Sequence, residues 1–237
     1  MQLAVVTGGA VRLGRAIALA LAQQGYAIGL HAYRSQSASE RTAAEIEALG
    51  VPVLRLSADL RQPAEVMEMF AAVKSAPWPL GVWVNSAAVM RKADVRQLTV
   101  AEWDETFELN LRAAWLCAQQ AALLMTDGGA IVNISDAGAG RAWSRYPAYT
   151  VSKAALEALT RVLARSLAPQ IRVNAVAPGL VLPSEDLPEE EWARLVARLP
   201  LQHQTSVEAV TAAVLFLVKS GDITGQTIVV DGGYQLT

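Results

Sequence analysis

Residues 3–20 read LAVVTGGAVRLGRAIALA. This segment passes from an apolar run, Leu3–Val6, through a glycine-containing turn that ends at Gly14 into a stretch with helical periodicity. Glycines at such a turn let backbone N–H groups approach a pyrophosphate at the positive end of a helix. The segment therefore predicts a β-strand, a phosphate-binding loop and a helix. Taken alone, the motif also fits an ordinary strand-to-helix turn.

Short apolar runs alternate with amphipathic stretches along the rest of the chain. The runs that we predict as strands are Leu3–Val6, Ala27–His31, Val51–Leu56, Val82–Asn85, Ala130–Ile134, Ile171–Ala177 and Thr227–Val230. They are nearly continuous in apolar residues, as expected for parallel strands that helices cover on both faces. We predict an α/β fold: a single-domain, Rossmann-type doubly wound parallel sheet of about seven strands flanked by helices, over residues 1–237. A proline-rich segment after the sixth strand predicts a substrate loop at about residues 178–200.

Composition narrows the classes of partner. The net charge of −2 gives no reason to expect nucleic acid. The only cysteine, Cys117, cannot form an intrachain disulfide, and with two histidines we predict no metal site. No export signal is visible, and the apolar runs are too short to cross a membrane, so we expect a cytoplasmic protein.

The end of the second predicted strand indicates which dinucleotide binds. In His31-Ala32-Tyr33-Arg34-Ser35 no acid is present that could bind a ribose 2′-hydroxyl. Arg34, with Ser35 beside it, can pair instead with a 2′-phosphate, and Arg12 adds positive charge nearby. The sequence therefore predicts NADPH, with His31 packed near the adenine.

Tyr149 and Lys153 lie four residues apart in a stretch with helical periodicity that runs to about Leu167. This spacing places both side chains on one helical face. An ammonium near a phenol lowers the pKa of the phenol, so we expect Lys153 to make Tyr149 a usable acid near neutral pH.

With this pair the chain resembles the short-chain dehydrogenase/reductase family from end to end. The matching residues are Thr7-Gly8 to Gly14, Asp59, Asn85, Asn110, Tyr149, Lys153, Pro178-Gly179 and Asp231-Gly232-Gly233. The resemblance implies that Tyr149 donates a proton, that Lys153 also holds the nicotinamide ribose and that Asn110 supports a proton-relay water. The full set expected at NADPH is Thr7, Gly8, Arg12, Leu13, Gly14, His31, Arg34, Ser35, Asp59, Leu60, Asn85, Ser86, Ala87, Lys153, Pro178 and Gly179.

Asp136 occupies the position, thirteen residues before the tyrosine, where most members of the family have a serine. An ionised carboxylate would repel the alkoxide that develops during carbonyl reduction. A C=N substrate instead takes a proton on nitrogen, and a pterin offers N–H donors that a carboxylate can accept. Pteridine reductases carry an Asp at this position, and the His31–Ser35 segment, Arg12 and the tail after Asp231 are also similar to theirs.

The resemblance implies hydride transfer from NADPH to a dihydropterin or dihydrofolate in a homotetramer. The expected catalytic residues are Asp136, Tyr149, Lys153 and Asn110, and the expected substrate contacts are Arg12, Ala88, Met90, Asp136, Tyr149, Leu180 and Trp192. Met90, Ala88 and Ser86 depart from the pteridine reductase pattern, which leaves the particular pterin open. Two alternatives remain: a ketoreductase in which Asp136 is protonated or turned away, and a non-catalytic NADP(H) sensor.

Overall fold

One parallel seven-stranded sheet forms the centre of the molecule. A computed structural model describes residues 1–183 and 187–237. The strands are β1 (Leu3–Val6), β2 (Ala27–His31), β3 (Val53–Leu56), β4 (Leu80–Asn85), β5 (Gly129–Ile134), β6 (Ile171–Pro178) and β7 (Thr227–Val230). Their order across the sheet is β3-β2-β1-β4-β5-β6-β7, and every neighbouring pair is parallel. The predicted α/β fold is confirmed.

Helices cover both faces of this sheet. They are α1 (Arg12–Gln23), α2 (Gln36–Glu47), α3 (Pro63–Lys74), α4 (Val100–Phe107), α5 (Ala113–Leu124), α6 (Pro147–Leu167), α7 (Glu189–Ala197) and α8 (Val207–Lys219). A π-helical turn, Glu108–Arg112, joins α4 to α5. One apolar core packs α3, α5 and α6 on the sheet, and a second packs α1, α2 and α8 on the opposite face. Burial on both faces explains why the strands are apolar throughout.

Three of the predicted strands, the first, second and last, have the observed bounds. The third begins two residues later than predicted, at Val53, because Pro52 before it has no N–H to donate to a ladder. The sixth strand extends to Pro178, which pairs with Val230. The strand ends there, and the N–H of the next residue, Gly179, donates to the Val230 carbonyl at 2.9 Å. None of the helices within the described ranges is long and apolar enough to cross a membrane.

The sheet order determines where a ligand can bind. The chain runs outward from β1 to β2 and β3, then returns to place β4 on the other side of β1. In open α/β sheets, the crevice outside the carboxyl ends of the strands at such a reversal is the usual ligand site. The glycine turn after β1 lies at this edge, as do the ends of β4 and β5.

Candidate active site

The glycine loop after β1 depends on close backbone packing. Gly8 has φ +64°, and a Cβ added to Gly14 would lie 2.2 Å from the Gly8 carbonyl oxygen. A side chain at Gly14 would push the loop away from the start of α1, and a side chain at Gly8 would meet the Ala87 backbone at 3.1 Å. The loop therefore brings its backbone directly against the first turn of α1, as predicted for a pyrophosphate site.

A cleft of about 550 Å³ extends from this loop along the carboxyl edge of the sheet and is called the cofactor cleft below. It brings together most of the predicted cofactor residues: Gly8, Arg12, Leu13, Gly14, His31, Arg34, Ser35, Asp59, Leu60, Ser86, Ala87, Lys153, Pro178 and Gly179. Arg34 is exposed at the end of β2 and forms no ion pair with any described residue. A free guanidinium, the tight glycine turn and the absence of an acid from His31 to Ser39 fit a dinucleotide with a 2′-phosphate.

Two predicted cofactor residues lie behind the cleft wall. The Thr7 hydroxyl oxygen accepts from the N–H groups of Ser86 and Ala87 at 2.9 and 3.1 Å. The Asn85 amide donates to Asn133 Oδ1 at 2.9 Å inside the sheet. Both residues hold the strand ends in place and do not line the cleft.

His31 is buried beneath the glycine loop, with 3% of its surface exposed. Nδ1 accepts from the Gly8 N–H at 3.1 Å, and Nε2 lies 3.0 Å from the Ala58 carbonyl oxygen. Burial lowers the pKa of His31. Both ring nitrogens are thus used within the protein.

Arg61 was not among the predicted site residues. It lies at the far end of the cofactor cleft. Its guanidinium bonds both carboxylate oxygens of Asp59, the shortest contact being 2.6 Å, and also contacts Glu105 at 2.6 Å. These hydrogen bonds hold the pKa of Asp59 below its usual value. The spacing Asp59-Leu60-Arg61 was the available signal, since an arginine two residues after an acid can fold back onto it.

The predicted catalytic residues meet at the other end of the cleft. Pro147 begins α6, so Tyr149 and Lys153 lie one turn apart near its start, with 8% and 3% of their surfaces exposed. The Tyr149 hydroxyl donates to Asp136 Oδ2 at 2.7 Å, and the Gly138 N–H donates to Asp136 Oδ1 at 2.7 Å. The Lys153 ammonium donates to the Ile134 carbonyl at 2.7 Å.

The prediction that Lys153 lowers the pKa of Tyr149 is wrong for this structure. Burial, followed by the adjacent Asp136 carboxylate, raises the pKa of Tyr149 well above its ordinary value. Burial also raises the pKa of Asp136 and lowers the pKa of Lys153 to about 8. The reason is geometric, because the ammonium bonds a backbone carbonyl and not the phenol. Tyr149 is accordingly a protonated phenol at neutral pH, the state that a proton donor requires.

Asn110 lies in the π-helical turn between α4 and α5. Its amide oxygen accepts from the Val89 N–H at 2.8 Å, and its amide nitrogen donates to the Val89 carbonyl and to the Ser152 hydroxyl at 2.9 and 3.1 Å. The side chain therefore fixes the segment after β4 against α6. The relay role expected for Asn110 stays a prediction.

Ser135 lines the cofactor cleft, but its hydroxyl is used within the protein, where it lies 3.5 Å from the Lys153 backbone carbonyl oxygen. Its hydroxyl donates to Glu157 Oε1 at 2.8 Å. Asp136, and not Ser135, bonds the Tyr149 hydroxyl, so Ser135 does not serve as the family's serine.

A second cavity, the substrate pocket, has a volume of about 470 Å³ and shares Asp136, Tyr149 and Arg12 with the cofactor cleft. Its wall includes the predicted substrate contacts Met90, Leu180 and Trp192, whereas Ala88 lines the cofactor cleft. Three aromatic residues of its wall were not predicted: Trp143, Tyr146 and Tyr234. Residues 184–186 of the predicted substrate loop lie outside the described residues.

The C-terminal tail forms part of this wall. Trp143 Nε1 donates to the Tyr234 hydroxyl oxygen at 2.7 Å, and the two rings meet edge to face at 5.7 Å. The Arg141 guanidinium lies 4.5 Å from the centre of the Tyr234 ring. Sequence motifs indicated Tyr149 and Asp136. The sequence around Trp143 and around Tyr234 contains no motif that would indicate that these two residues, 91 positions apart, meet in one pocket.

Comparison with known proteins places this site in a family. Residues 9–235 match the family described as enoyl-(acyl carrier protein) reductase. The chain is 34% identical to a short-chain type dehydrogenase/reductase of Picea abies, over 98% of this chain and 92% of that protein. It is 35% identical to the 3-oxoacyl-[acyl-carrier-protein] reductase FabG of Staphylococcus aureus, over 97% and 96% of the two chains.

Solved structures extend the comparison. FolM alternative dihydrofolate reductase 1 from Brucella canis, crystallised with NADP, superposes with a TM-score of 0.92 at 34% identity, covering 100% of this chain and 94% of that one. A blue fluorescent protein from a metagenomic library, in complex with NADPH, gives a TM-score of 0.91 at 32% identity, with 98% and 97% coverage. The chain belongs to the short-chain dehydrogenase/reductase family. The prediction of an NADP-dependent oxidoreductase of this family is confirmed.

Proposed function

We propose that the protein is an NADPH-dependent pteridine reductase that reduces the C=N bond of a dihydropterin or dihydrofolate to the tetrahydro form. The observation that carries the proposal is the 2.7 Å hydrogen bond from the Tyr149 hydroxyl to Asp136 in the wall that the cofactor cleft and the substrate pocket share. The similarity to a FolM alternative dihydrofolate reductase supports the same substrate class.

The chemistry of this pair suits nitrogen better than oxygen. An ionised Asp136 can only accept hydrogen bonds, so it binds the N–H groups of a pterin and repels a developing alkoxide. Tyr149 holds a proton that it can release to a ring nitrogen when the neighbouring carbon gains a hydride. One hydride and one proton convert C=N to CH–NH, and the phenolate left on Tyr149 regains its proton from solvent.

Residues of the cofactor cleft would hold NADPH, which supplies the hydride. Arg34 and Ser35 would bind the 2′-phosphate, and the start of α1 with Arg12 would face the pyrophosphate. Arg12 also donates to the Leu182 and Pro183 carbonyls at 3.2 and 2.8 Å, which joins the glycine loop to the start of the proposed substrate loop, residues 178–200.

A carbonyl reductase is the second candidate. It is favoured by the 35% identity to a 3-oxoacyl-[acyl-carrier-protein] reductase and by burial, which raises the pKa of Asp136 toward a protonated carboxyl that could donate to a carbonyl oxygen. A direct comparison of substrates separates the two candidates.

The test is initial-rate NADPH oxidation with dihydrobiopterin, dihydromonapterin, dihydrofolate and a panel of ketones. We expect turnover of the pterins and a fall in kcat/KM of about 100-fold or more in Asp136→Ser, the size of effect that loss of one transition-state hydrogen bond produces. Ser135→Ala is the matched control, because that hydroxyl bonds Glu157 and makes no hydrogen bond to Asp136 or the Tyr149 hydroxyl within the described part of the chain. Reduction of ketones with inert pterins would overturn the proposal in favour of the carbonyl reductase.

We further propose a cytoplasmic homotetramer. An apolar groove of about 640 Å³ lies between α4, α5 and α6, and Phe107, Leu111, Trp115 and Leu159 line it. Trp115 is 43% exposed there. A second copy of this chain would cover the groove, next to the helices that carry Asn110 and Tyr149.

A further inference from the structure

The imidazole of His31 forms a bridge between two loops of the cofactor cleft. The Ala58 carbonyl can only accept a hydrogen bond, so the nitrogen facing it, Nε2 at 3.0 Å, must carry the proton. Nδ1 faces the Gly8 N–H at 3.1 Å and must accept. Only one state of the ring satisfies both contacts, the neutral Nε2–H tautomer.

The same residue also holds the glycine loop through its backbone. The His31 carbonyl accepts from the Gly9 N–H at 2.9 Å. Two consecutive N–H groups of the loop are therefore bound by His31, at the turn where Gly8 has φ +64°. These two donors are not free for a phosphate, which leaves the unpaired N–H groups of the first turn of α1 to meet it.

Removal of the imidazole would release the glycine loop at Gly8, where the surrounding packing leaves the least room for movement. A Cβ on Gly8 would already lie 3.1 Å from the Ala87 backbone, and Gly14 packs against the Gly8 carbonyl. A shift of the Gly8 peptide would therefore move the start of α1 relative to the end of β4. Both segments line the cofactor cleft.

We propose that His31 is a positioning residue for the cofactor: its neutral Nε2–H form holds the glycine loop in the shape that binds NADPH, and a second proton, on Nδ1, releases it. A proton on Nδ1 would point at the Gly8 N–H, so two hydrogen-bond donors would face each other and the hydrogen bond would be lost. The inference rests on the use of NADPH and not on the substrate class, so failure of the pterin proposal would leave it standing.

The charges around His31 determine where this switch operates. Asp59, at the end of the neighbouring β3, is the charged group that favours the protonated ring, and its carboxylate is bound by Arg61. Arg12 in the glycine loop reaches toward the Leu182 and Pro183 carbonyls, and Arg34 lies over the Tyr33 ring at 5.2 Å. Burial dominates and lowers the pKa of His31, which places the loss of affinity below the ordinary value of about 6.5.

The test compares His31→Asn, whose amide oxygen can still accept from Gly8, with His31→Leu, which cannot. We expect the Kd for NADPH, followed by cofactor fluorescence at pH 7.5, to rise about tenfold in His31→Leu and to stay near the wild-type value in His31→Asn. In His31→Leu the rise in KM for NADPH should exceed any fall in kcat, the split expected of a residue that positions the cofactor loop. On lowering the pH to 5.5, the wild-type Kd should rise more than that of His31→Asn. Titration of the 2′-phosphate itself, with a pKa near 6, affects both proteins equally, so the difference between their Kd values reports on His31.

Nitrogen NMR gives a readout that requires no substitution of His31. The chain has two histidines, His31 and His203, so a His203→Asn variant leaves one imidazole to observe. We expect the neutral Nε2–H tautomer at pH 7 in the absence of cofactor. An Nδ1–H tautomer or a charged ring at pH 7, an unchanged Kd in a folded His31→Leu, or identical pH profiles of Kd in wild type and His31→Asn would each overturn the proposal.

Discussion

At the scale of single residues, the burial of Lys153 in the site lowers the stability of the fold. Its ammonium is buried with one hydrogen bond to protein, and desolvation lowers its pKa to about 8. A lysine whose pKa is lower in the folded than in the unfolded chain destabilises the fold at every pH where the unfolded chain holds the extra proton. The destabilisation is complete below about pH 8 and disappears as the pH rises toward 10.5, the ordinary value.

We therefore predict that Lys153→Met abolishes activity and changes the pH dependence of stability. A shift from 10.5 to about 8 corresponds to about 3 kcal/mol, so the variant should gain most relative to wild type at pH 7. This advantage should shrink steadily up to pH 10, which urea denaturation of the cofactor-free proteins at several pH values would measure. Parallel stability curves for the two proteins across this range would show that Lys153 is not desolvated as the structure indicates.

The residues of the site differ in how well sequence alone predicts them. Tyr149 and Lys153 share a helical face, so local geometry is sufficient to group these two. Asp136 was grouped with them only by resemblance, because most members of the family have a serine at that position. Their pKa values could not be predicted, because the sign for Tyr149 depends on burial and on which atom the ammonium bonds. Tyr234 was missed for a related reason: its place in the pocket depends on tertiary packing of the tail.

At the scale of elements, a chain of buried amides links two strands to the catalytic helix. Asn85 on β4 donates to Asn133 on β5 at 2.9 Å, and Asn133 donates to the Thr160 hydroxyl on α6 at 2.8 Å. Asn133 and Thr160 are fully buried. Buried polar groups in such a network specify one arrangement of the elements, because each unpaired group would cost free energy. The network fixes α6 against the sheet two turns after the catalytic pair.

We predict that Asn133→Leu and Thr160→Val each lower the free energy of unfolding by about 2 kcal/mol, the cost of leaving a buried partner unpaired. In the double variant the losses should be clearly less than additive, since both ends of one hydrogen bond are then gone. Asn174→Leu combined with Thr160→Val is the control, because Asn174 is equally buried but bonds Ile223 and Gln226. Full additivity in the Asn133 pair, measured by urea denaturation, would mean that the two residues are not coupled.

The strands were largely predictable because both faces of the sheet are buried, which produces continuous apolar runs bounded by polar turns. The predicted bounds are wrong where strand pairing, and not composition, determines where a strand begins or ends. For example, β4 begins at Leu80 because Leu80 pairs with Leu3. The π-helical turn at Glu108–Arg112 had no local signal in the sequence. Its role is tertiary, since it turns Asn110 toward Val89.

At the scale of the whole molecule, the groove between α4, α5 and α6 has the composition of an interface. An exposed tryptophan beside half-buried apolar residues favours burial against another surface, and in homo-oligomers this surface is the same patch on a second copy. The groove and the catalytic residues share their helices: Tyr149 and Leu159 are both on α6. Assembly would therefore support the helix that carries Tyr149 and Lys153.

We predict that light scattering will give a mass of about 100 kDa for the wild type, four chains of 25.2 kDa. Trp115→Glu should lower the mass to that of two chains or one, because the groove would join copies in pairs and a carboxylate would have to lose its hydration at the centre of the contact. Met67→Glu on α3, an exposed apolar residue of similar accessibility at 49%, is the control that should leave the mass unchanged. If the groove also supports α6, kcat should fall with the mass in Trp115→Glu while the Kd for NADPH changes little, since the glycine loop is held by His31 within one chain. A 25 kDa wild type, or a Trp115→Glu variant that remains at 100 kDa, would mean that this groove does not join the subunits.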